Sequence, residues 1–285
     1  MKKYLKLMRI HHYLKNLLVF AALACSGLLF DSRKLLSCIL GFFTFSLISS
    51  VVYIINDIMD REKDRCHPKK CHRPIASGAV SPTQAGLLAS GLLIVALLCN
   101  GLIFSLPATA LLLGYLVLNL GYSMGLKKIP LVDVAILVSG FWIRVLYGAL
   151  ITGIQISDWL YLTIVMLAFF LALGKRRNEL KHNKAGETRD VLKAYPIAFL
   201  DKSMYMCLTL AIVFYSLWTM TEETVLAYGQ YLVYTVPIVM LIIMKYSMDI
   251  EGDSDGDPVE VLVHDKFLMI LCLIYLVSML AILYH

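Results

Sequence analysis

Asn56, Asp57, Asp60 and Asp64 fall within nine residues and run directly into Lys69, Lys70 and Arg73, in the stretch NDIMDREKDRCHPKKCHRPIASG. On a continuous helix Asn56, Asp60 and Asp64 stand one turn apart on one face, and Asp57 lies on the neighbouring stripe. Like charges at that spacing repel, so the cluster needs something positive among them. Oxygen-only donors on a loosely solvated face suit Mg²⁺, which keeps several waters and bridges to substrate phosphates. Asp57, Asp60 and Asp64 are its candidate ligands, beside the Asn56 side chain. Lys69, Lys70 and Arg73 then stand where they could hold the rest of a polyphosphate. The plain alternative is a solvated, charged helix end. A second local reading takes Cys66, His67, Cys71 and His72 of CHPKKCH as zinc ligands, but the spacing fits no common finger or ribbon.

The element that must carry this cluster is an almost wholly apolar run, FFTFSLISSVVYII. Apolar residues make up 59% of the chain, charged residues 16%, and the mean hydropathy is +0.75. Those values exclude the ordinary soluble class and predict an all-α, polytopic membrane protein, a single membrane domain over residues 1–285. Nine spans are expected, at about 15–31, 36–57, 82–104, 107–123, 130–151, 157–178, 199–220, 228–247 and 265–284. Ser81, Pro82 and Gln84 predict a capped helix start; Pro107 and Pro130 open the next two spans, and Pro237 predicts a kink in the eighth. Seven cysteines are scattered, mostly inside apolar runs, and imply no disulfide framework.

Lys and Arg concentrate in the N-terminal segment and in polar links at about 58–81, 124–129 and 175–198, the last polar link at about 248–264 is acidic, and the intervening links are nearly free of positive charge. The positive-inside rule then puts the N-terminus and these links in the cytoplasm and the C-terminus outside, in the cell membrane. The net charge of +6 is a topology signal, and no nucleic-acid partner is expected. Spans two and six both end in polar clusters, which hints at an internal pseudo-repeat.

Other charged residues sit where charge is costly. Arg144 stands about 21 Å into its span at 1.5 Å per residue, so it must face the bundle interior with a partner. It is either a substrate contact or a brace between helices. Lys127 lies beside Tyr122 and Ser123 and could reach a phosphate. Lys15 and Asn16 sit where the first span enters the membrane, as lipid-phosphate contacts or as snorkelling groups. At the end of span six, GKRRNELKHNKAGETRD is led by Lys175, Arg176 and Arg177, with Glu179 the nearest acid and Glu187 and Asp190 a displaced acidic pair. A basic set there binds an anion directly, where a carboxylate set would recruit a cation. IEGDSDGDPVEVLVHDK resembles a calcium loop only in its first aspartates and lacks the sixth-place glycine and twelfth-place glutamate.

Asn56-Asp57-x-x-Asp60-x-x-x-Asp64 resembles the NDxxDxxxD signature of the UbiA superfamily of intramembrane prenyltransferases. HPKKCHRPIASG resembles the HPxKxxRPxxxG continuation of its polyprenyl-phosphate (decaprenyl-phosphate) phosphoribosyltransferase branch. HHYLKNLLVFAAL, YSMGLKKIPLVDVAILVSGFWIRVLYGA, LALGKRRNEL, YSLWTM and DPVEVLVHDKFL are similar to that branch in the same order, across essentially the whole chain. The resemblance implies a UbiA-like bundle of nine helices with a Mg²⁺-dependent active site open to the cytoplasm. It also implies transfer of 5-phosphoribosyl from phosphoribosyl pyrophosphate to a polyprenyl phosphate, with release of diphosphate. Asp57, Asp60, Asp64 and Glu179 are then the catalytic candidates. Lys15, Asn16, Asn56, Lys69, Arg73, Lys127, Arg144, Lys175 and Arg176 are the substrate-binding candidates, and Asp257, Glu260 and Asp265 could close the pocket or touch ribose hydroxyls. The alternatives are a conventional prenyltransferase joining a prenyl diphosphate to an aromatic or other acceptor, and a non-catalytic lipid transporter. Chain length of the isoprenoid and oligomeric state are not legible in the sequence.

Overall fold

The computed structural model describes residues 2–68, 70–103, 105–182, 190–251, 261–262 and 264–284. Every regular element among them is helical. In order they are α1 (Lys2–Met8), a 3-10 segment (Ile10–Phe20), α2 (Ala21–Cys25), α3 (Ser32–Met59), α4 (Arg61–Arg65) and α5 (Pro82–Gly101). Then come α6 (Leu106–Met124), α7 (Val132–Thr152), α8 (Asp158–His182), α9 (Ile197–Met220), α10 (Glu222–Tyr228), α11 (Val236–Glu251) and α12 (Lys266–Tyr284).

Eight helical stretches among the described residues are long and apolar enough to cross a membrane, from Ser32–Met59 to Lys266–Tyr284. The chain is a multi-pass membrane protein. The expected first span at 15–31 differs: its apolar segment is Ile10–Cys25, mostly 3-10 rather than α. A 3-10 helix rises about 2.0 Å per residue, so this short segment still reaches about 30 Å. It stops early because Gly27 takes a left-handed φ of 69° and Asp31 then caps a new helix, accepting from the Arg33 and Lys34 backbone N–H groups. Those N–H groups hold the Asp31 carboxyl below the usual range. The capping box at Ser81 and Gln84 forms as the sequence predicts. Pro237 does not kink a continuous helix. It sits at the start of α11, where the 3-10 segment Gln230–Thr235 gives way to α geometry.

The chain forms two compact units, one of Met1–Ala24, Leu28–Ile136 and Ile143–Ile154, the other of Cys25–Gly27, Leu137–Trp142 and Gln155–His285. In the first, α3 packs against α1, the 3-10 segment, α5 and α6. Lipid tails are as apolar as leucine, so such helices are held by close packing and interhelical hydrogen bonds rather than by a hydrophobic drive. Accordingly α3 buries Thr44, Ser46, Ser49 and Ser50. Asn16, 1% exposed, donates to Ser46 Oγ at 3.0 Å and accepts from Arg144 Nε at 2.7 Å. The Arg144 guanidinium also donates to the Tyr115 hydroxyl at 3.3 Å and lies 4.9 Å from the Phe45 ring centre. Tyr147 donates to Asn100 Oδ1 at 2.8 Å, tying α7 to α5. One apolar cluster, including Leu7, Val51, Ile54, Ile75 and Val80, seats α1 and the 70–80 loop on α3.

In the second unit α8 pairs with α9, and α11 with α12. Arg177 is their ionic anchor: its guanidinium bonds Asp201 on α9 and donates to Glu251 on α11 at 2.6 Å. Lys245 bonds Asp249 and reaches Asp265 at 2.5 Å. Asp265 also caps α12 by accepting from the Leu268 N–H, and both partners hold its carboxyl below the ordinary range. Tyr215, Trp218, Leu232, Met279 and Leu283 form the apolar cluster beyond them.

Gly148 is where α7 and the 3-10 segment touch, since a Cβ there would lie 1.9 Å from the Val19 carbonyl oxygen. Backbone cannot yield as a side-chain tip can. Gly148→Ala is expected to destabilise the protein by about 1–3 kcal/mol. Gly91→Ala, which meets open space, should stay within about 1 kcal/mol of wild type. Thermal unfolding of the two purified variants in one detergent checks the contrast, and equal melting temperatures would contradict it.

Candidate active site

The acidic cluster sits where α3 ends. Asp60 leaves the helix with φ −89° and ψ 5°, the bridge region that active-site residues often occupy, and α4 resumes one residue later. The expected unbroken helix is therefore interrupted. Its spacing survives, because the Asp60 N–H still bonds Asn56 O at 2.9 Å and the Asp64 N–H bonds Asp60 O at 2.8 Å.

The side chains regroup. Asp57, 2% exposed, meets Asp64 at Arg73, whose Nη1 donates to Asp57 Oδ1 at 3.1 Å and to Asp64 Oδ2 at 2.6 Å. Asp57 Oδ1 accepts a second guanidinium, from Arg9 Nη2 at 2.5 Å. Asp60 is turned to Lys127, which donates to Oδ1 at 2.6 Å and Oδ2 at 2.7 Å. Asn56 Oδ1 accepts from Ser123 Oγ at 3.1 Å. The grouping read from helix periodicity, with Asn56, Asp60 and Asp64 on one stripe, is thus replaced by Asp57 with Asp64 on Arg73, and Asp60 with Lys127. Positions 57 and 64 are about two helical turns apart, and the tertiary contact with Arg73 joins them.

Three carboxylates and three cations leave the site near neutral overall. Among the described residues no three His, Cys, Asp or Glu side chains form a metal cage, and this includes CHPKKCH. Mg²⁺ does not need one, since one or two carboxylates plus waters and substrate phosphates suffice. The donor set fits it. Asp57 and Asp64 converge on one cationic atom, and Asp57 Oδ2 and Asp64 Oδ1 stand outside these ion pairs. Asp60, with both oxygens on Lys127, is the weaker ligand candidate.

The remaining candidates are placed as follows. Asn16 and Arg144 lie in the buried network of the first unit, bonded to each other. Lys15 is half-buried, and Lys69 lies outside the described residues. In the second unit Arg176 is 1% exposed and donates to Glu179 Oε2 at 2.8 Å, within α8, while Lys175 is half-buried. Arg177 is committed to Asp201 and Glu251. The run is therefore not a bare cationic patch, because burial at a helix end demands counter-charges. Asp265 serves Lys245 and the start of α12. Glu187, Asp253, Asp255, Asp257, Glu260 and the Asp190 side chain lie outside the described residues. Sequence reading missed Arg9, whose only local signal is membership of a basic N-terminal run. It also missed Asp201 and Glu251, each distant in sequence from the arginine they serve.

The match of the UbiA prenyltransferase family runs over residues 17–271. The chain is 34% identical over 286 residues to the decaprenyl-phosphate phosphoribosyltransferase of Mycolicibacterium smegmatis, covering 95% of this chain and 89% of that protein. It is 32% identical over 276 residues to the enzyme of the same name from Corynebacterium glutamicum, covering 94% and 83%. Its fold is similar to that of a UbiA homolog from Archaeoglobus fulgidus solved with DMAPP and Mg²⁺, with a TM-score of 0.74, 18% identity and 99% of each chain covered. With the acidic cluster at the end of a membrane helix and the family match spanning most of its length, the chain belongs to the UbiA prenyltransferase family.

Proposed function

We propose that this chain transfers a 5-phosphoribosyl group from phosphoribosyl pyrophosphate to a polyprenyl phosphate and releases diphosphate. The meeting of Asp57 and Asp64 on Arg73, flanked by Arg9 and Lys127, carries the reading. Interleaved carboxylates and cations suit a substrate whose phosphates arrive with Mg²⁺. The names of the mycobacterial and corynebacterial relatives support the choice of sugar donor and lipid acceptor. In this reading the Ile10–Cys25 segment makes a ninth crossing of the cell membrane. The N-terminus and the acidic cluster face the cytoplasm and the C-terminus faces outward, in line with the distribution of Lys and Arg.

In the reaction the bond from ribose C1 to the diphosphate oxygen breaks, and its electron pair leaves with diphosphate. A bond from C1 to an oxygen of the acceptor phosphate forms. That phosphate is already anionic near neutral pH, so no strong general base is needed. Bound Mg²⁺ would supply Lewis-acid neutralisation of the departing charge. Asp57 and Asp64 would hold it through the oxygens that stand outside their ion pairs. Arg73 and Lys127 would hold and orient phosphate oxygens, and Asn56, fixed by Ser123, would add a neutral polar contact. Fixing two anionic substrates in reactive alignment is the main contribution, since positioning alone removes several kcal/mol of barrier.

Purified protein given labelled phosphoribosyl pyrophosphate and polyprenyl phosphate should move label into the organic phase, and EDTA should stop it. Label that stays in water, with or without Mg²⁺, would defeat the proposal. The A. fulgidus homolog solved with DMAPP favours a second reading, prenyl transfer. That reading requires consumption of a prenyl diphosphate in a parallel incubation.

Asp57→Asn and Asp64→Asn should each cut transfer by about 100-fold or more, at wild-type yield of folded protein. Turnover within a few-fold of wild type in both variants would remove these carboxylates from the mechanism.

A further inference from the structure

Arg9 stands at the junction of α1 and the 3-10 segment with φ 52° and ψ 51°, a left-handed conformation that costs a non-glycine residue about 1–2 kcal/mol. Strain of that kind persists only where the surroundings impose it. Here Lys3 donates to Ala79 O at 3.0 Å and Lys6 to His72 O at 3.3 Å, tying α1 to the loop that carries Arg73. Leu7 is buried in the same cluster as Ile75 and Val80. The turn at Arg9 then aims its guanidinium at Asp57, while the group lies 4.8 Å from the centre of the Tyr53 ring.

Neutralising Asp57 does not by itself require Arg9, because Arg73 already donates to the same Oδ1 atom. Nor is the guanidinium's capacity used up: of five donors it spends one on Asp57. A divalent cation taking Asp57 as a ligand would repel Arg9. The Tyr53 face would still hold the guanidinium at the site, with its fork ready for a phosphate.

We propose that Arg9 is a donor-positioning residue: it occupies Asp57 in the unloaded protein and passes to the diphosphate of the sugar donor when the divalent cation takes that carboxylate. This rests on the proposed donor site. It predicts two effects of opposite sign. Removing the charge at position 9 should tighten binding of the metal alone, because a competitor for Asp57 is gone, and should weaken binding of the donor, because a phosphate contact is lost.

The test uses the purified full chain in nanodiscs, with Mn²⁺ binding followed by electron paramagnetic resonance in the absence of donor, and KM measured for each substrate. Arg9→Gln should bind Mn²⁺ about three-fold or more tighter and raise the KM for phosphoribosyl pyrophosphate about ten-fold, leaving that for polyprenyl phosphate within about two-fold. Arg9→Lys keeps the charge without the fork, so it should leave Mn²⁺ affinity unchanged and raise the donor KM by an intermediate factor. That variant decides the question if Arg9→Gln does not fold. Asp57→Asn should weaken Mn²⁺ binding and serves as the control on the site itself. If Asp57→Asn weakens Mn²⁺ binding while both Arg9 variants match wild type, the role of Arg9 is refuted and the metal site stands. Weaker Mn²⁺ binding in Arg9→Gln would also overturn it. If Asp57→Asn leaves Mn²⁺ binding unchanged, the donor-site reading fails instead.

Discussion

A charge withdrawn from water at the end of a membrane helix must find an opposite charge or a dense set of dipoles, and that requirement organises both units of this protein. Asp57 is answered by Arg9 and Arg73, and Asp60 by Lys127. Arg177 is answered by Asp201 and Glu251. Where an arginine lies deeper, at Arg144, an amide, a phenol and an aromatic face serve. Each answer comes from a different segment of the chain, a helix or the link beside one, so charge compensation and helix assembly are one process. Removing one partner leaves the other buried and uncompensated, which is why such contacts hold helices together although lipid gives them little reason to associate.

The same requirement distinguishes the two charged helix ends. On α3 the pairs are mixed so that two carboxylates share one guanidinium nitrogen and each keeps an oxygen outside the pair. That arrangement can exchange partners, because an arriving cation and an arriving phosphate replace a carboxylate–guanidinium pair without creating net charge. At the end of α8 the pairs run between helices: Arg177 gives Nε to Asp201 on α9 and Nη2 to Glu251 on α11. The second end has the character of a fastening, whereas the first is the end proposed to bind substrate. Sequence composition separates an acidic cluster from a basic run at these two ends, but it does not show which charges are paired.

How much was legible follows from which interactions are local. The acidic spacing at Asn56, Asp57, Asp60 and Asp64, the capping box at Ser81 and the apolar lengths of the later spans are all set within a few residues, and each reappears in the fold. The break at Asp60, the regrouping of Asp57 with Asp64, and the 3-10 form of Ile10–Phe20 were not legible. They depend on Lys127, on Arg73 across a loop, and on a helix that approaches within one glycine of the first segment. Arg9 reads as one cation in a basic run until α1 is docked.

The sequence by itself determined that the chain crosses a membrane repeatedly as helices, that an acidic patch suited to Mg²⁺ closes one of them, and which family those residues resemble. Hydropathy and helical spacing are properties of neighbours in the chain, and they need no fold to be read. Only the tertiary structure decided which carboxylate meets which cation, that Asn16 and Arg144 serve each other, and that Arg177 is a fastening. Those pairings link residues up to 128 positions apart, and the desolvation that makes them necessary exists only once the helices have packed.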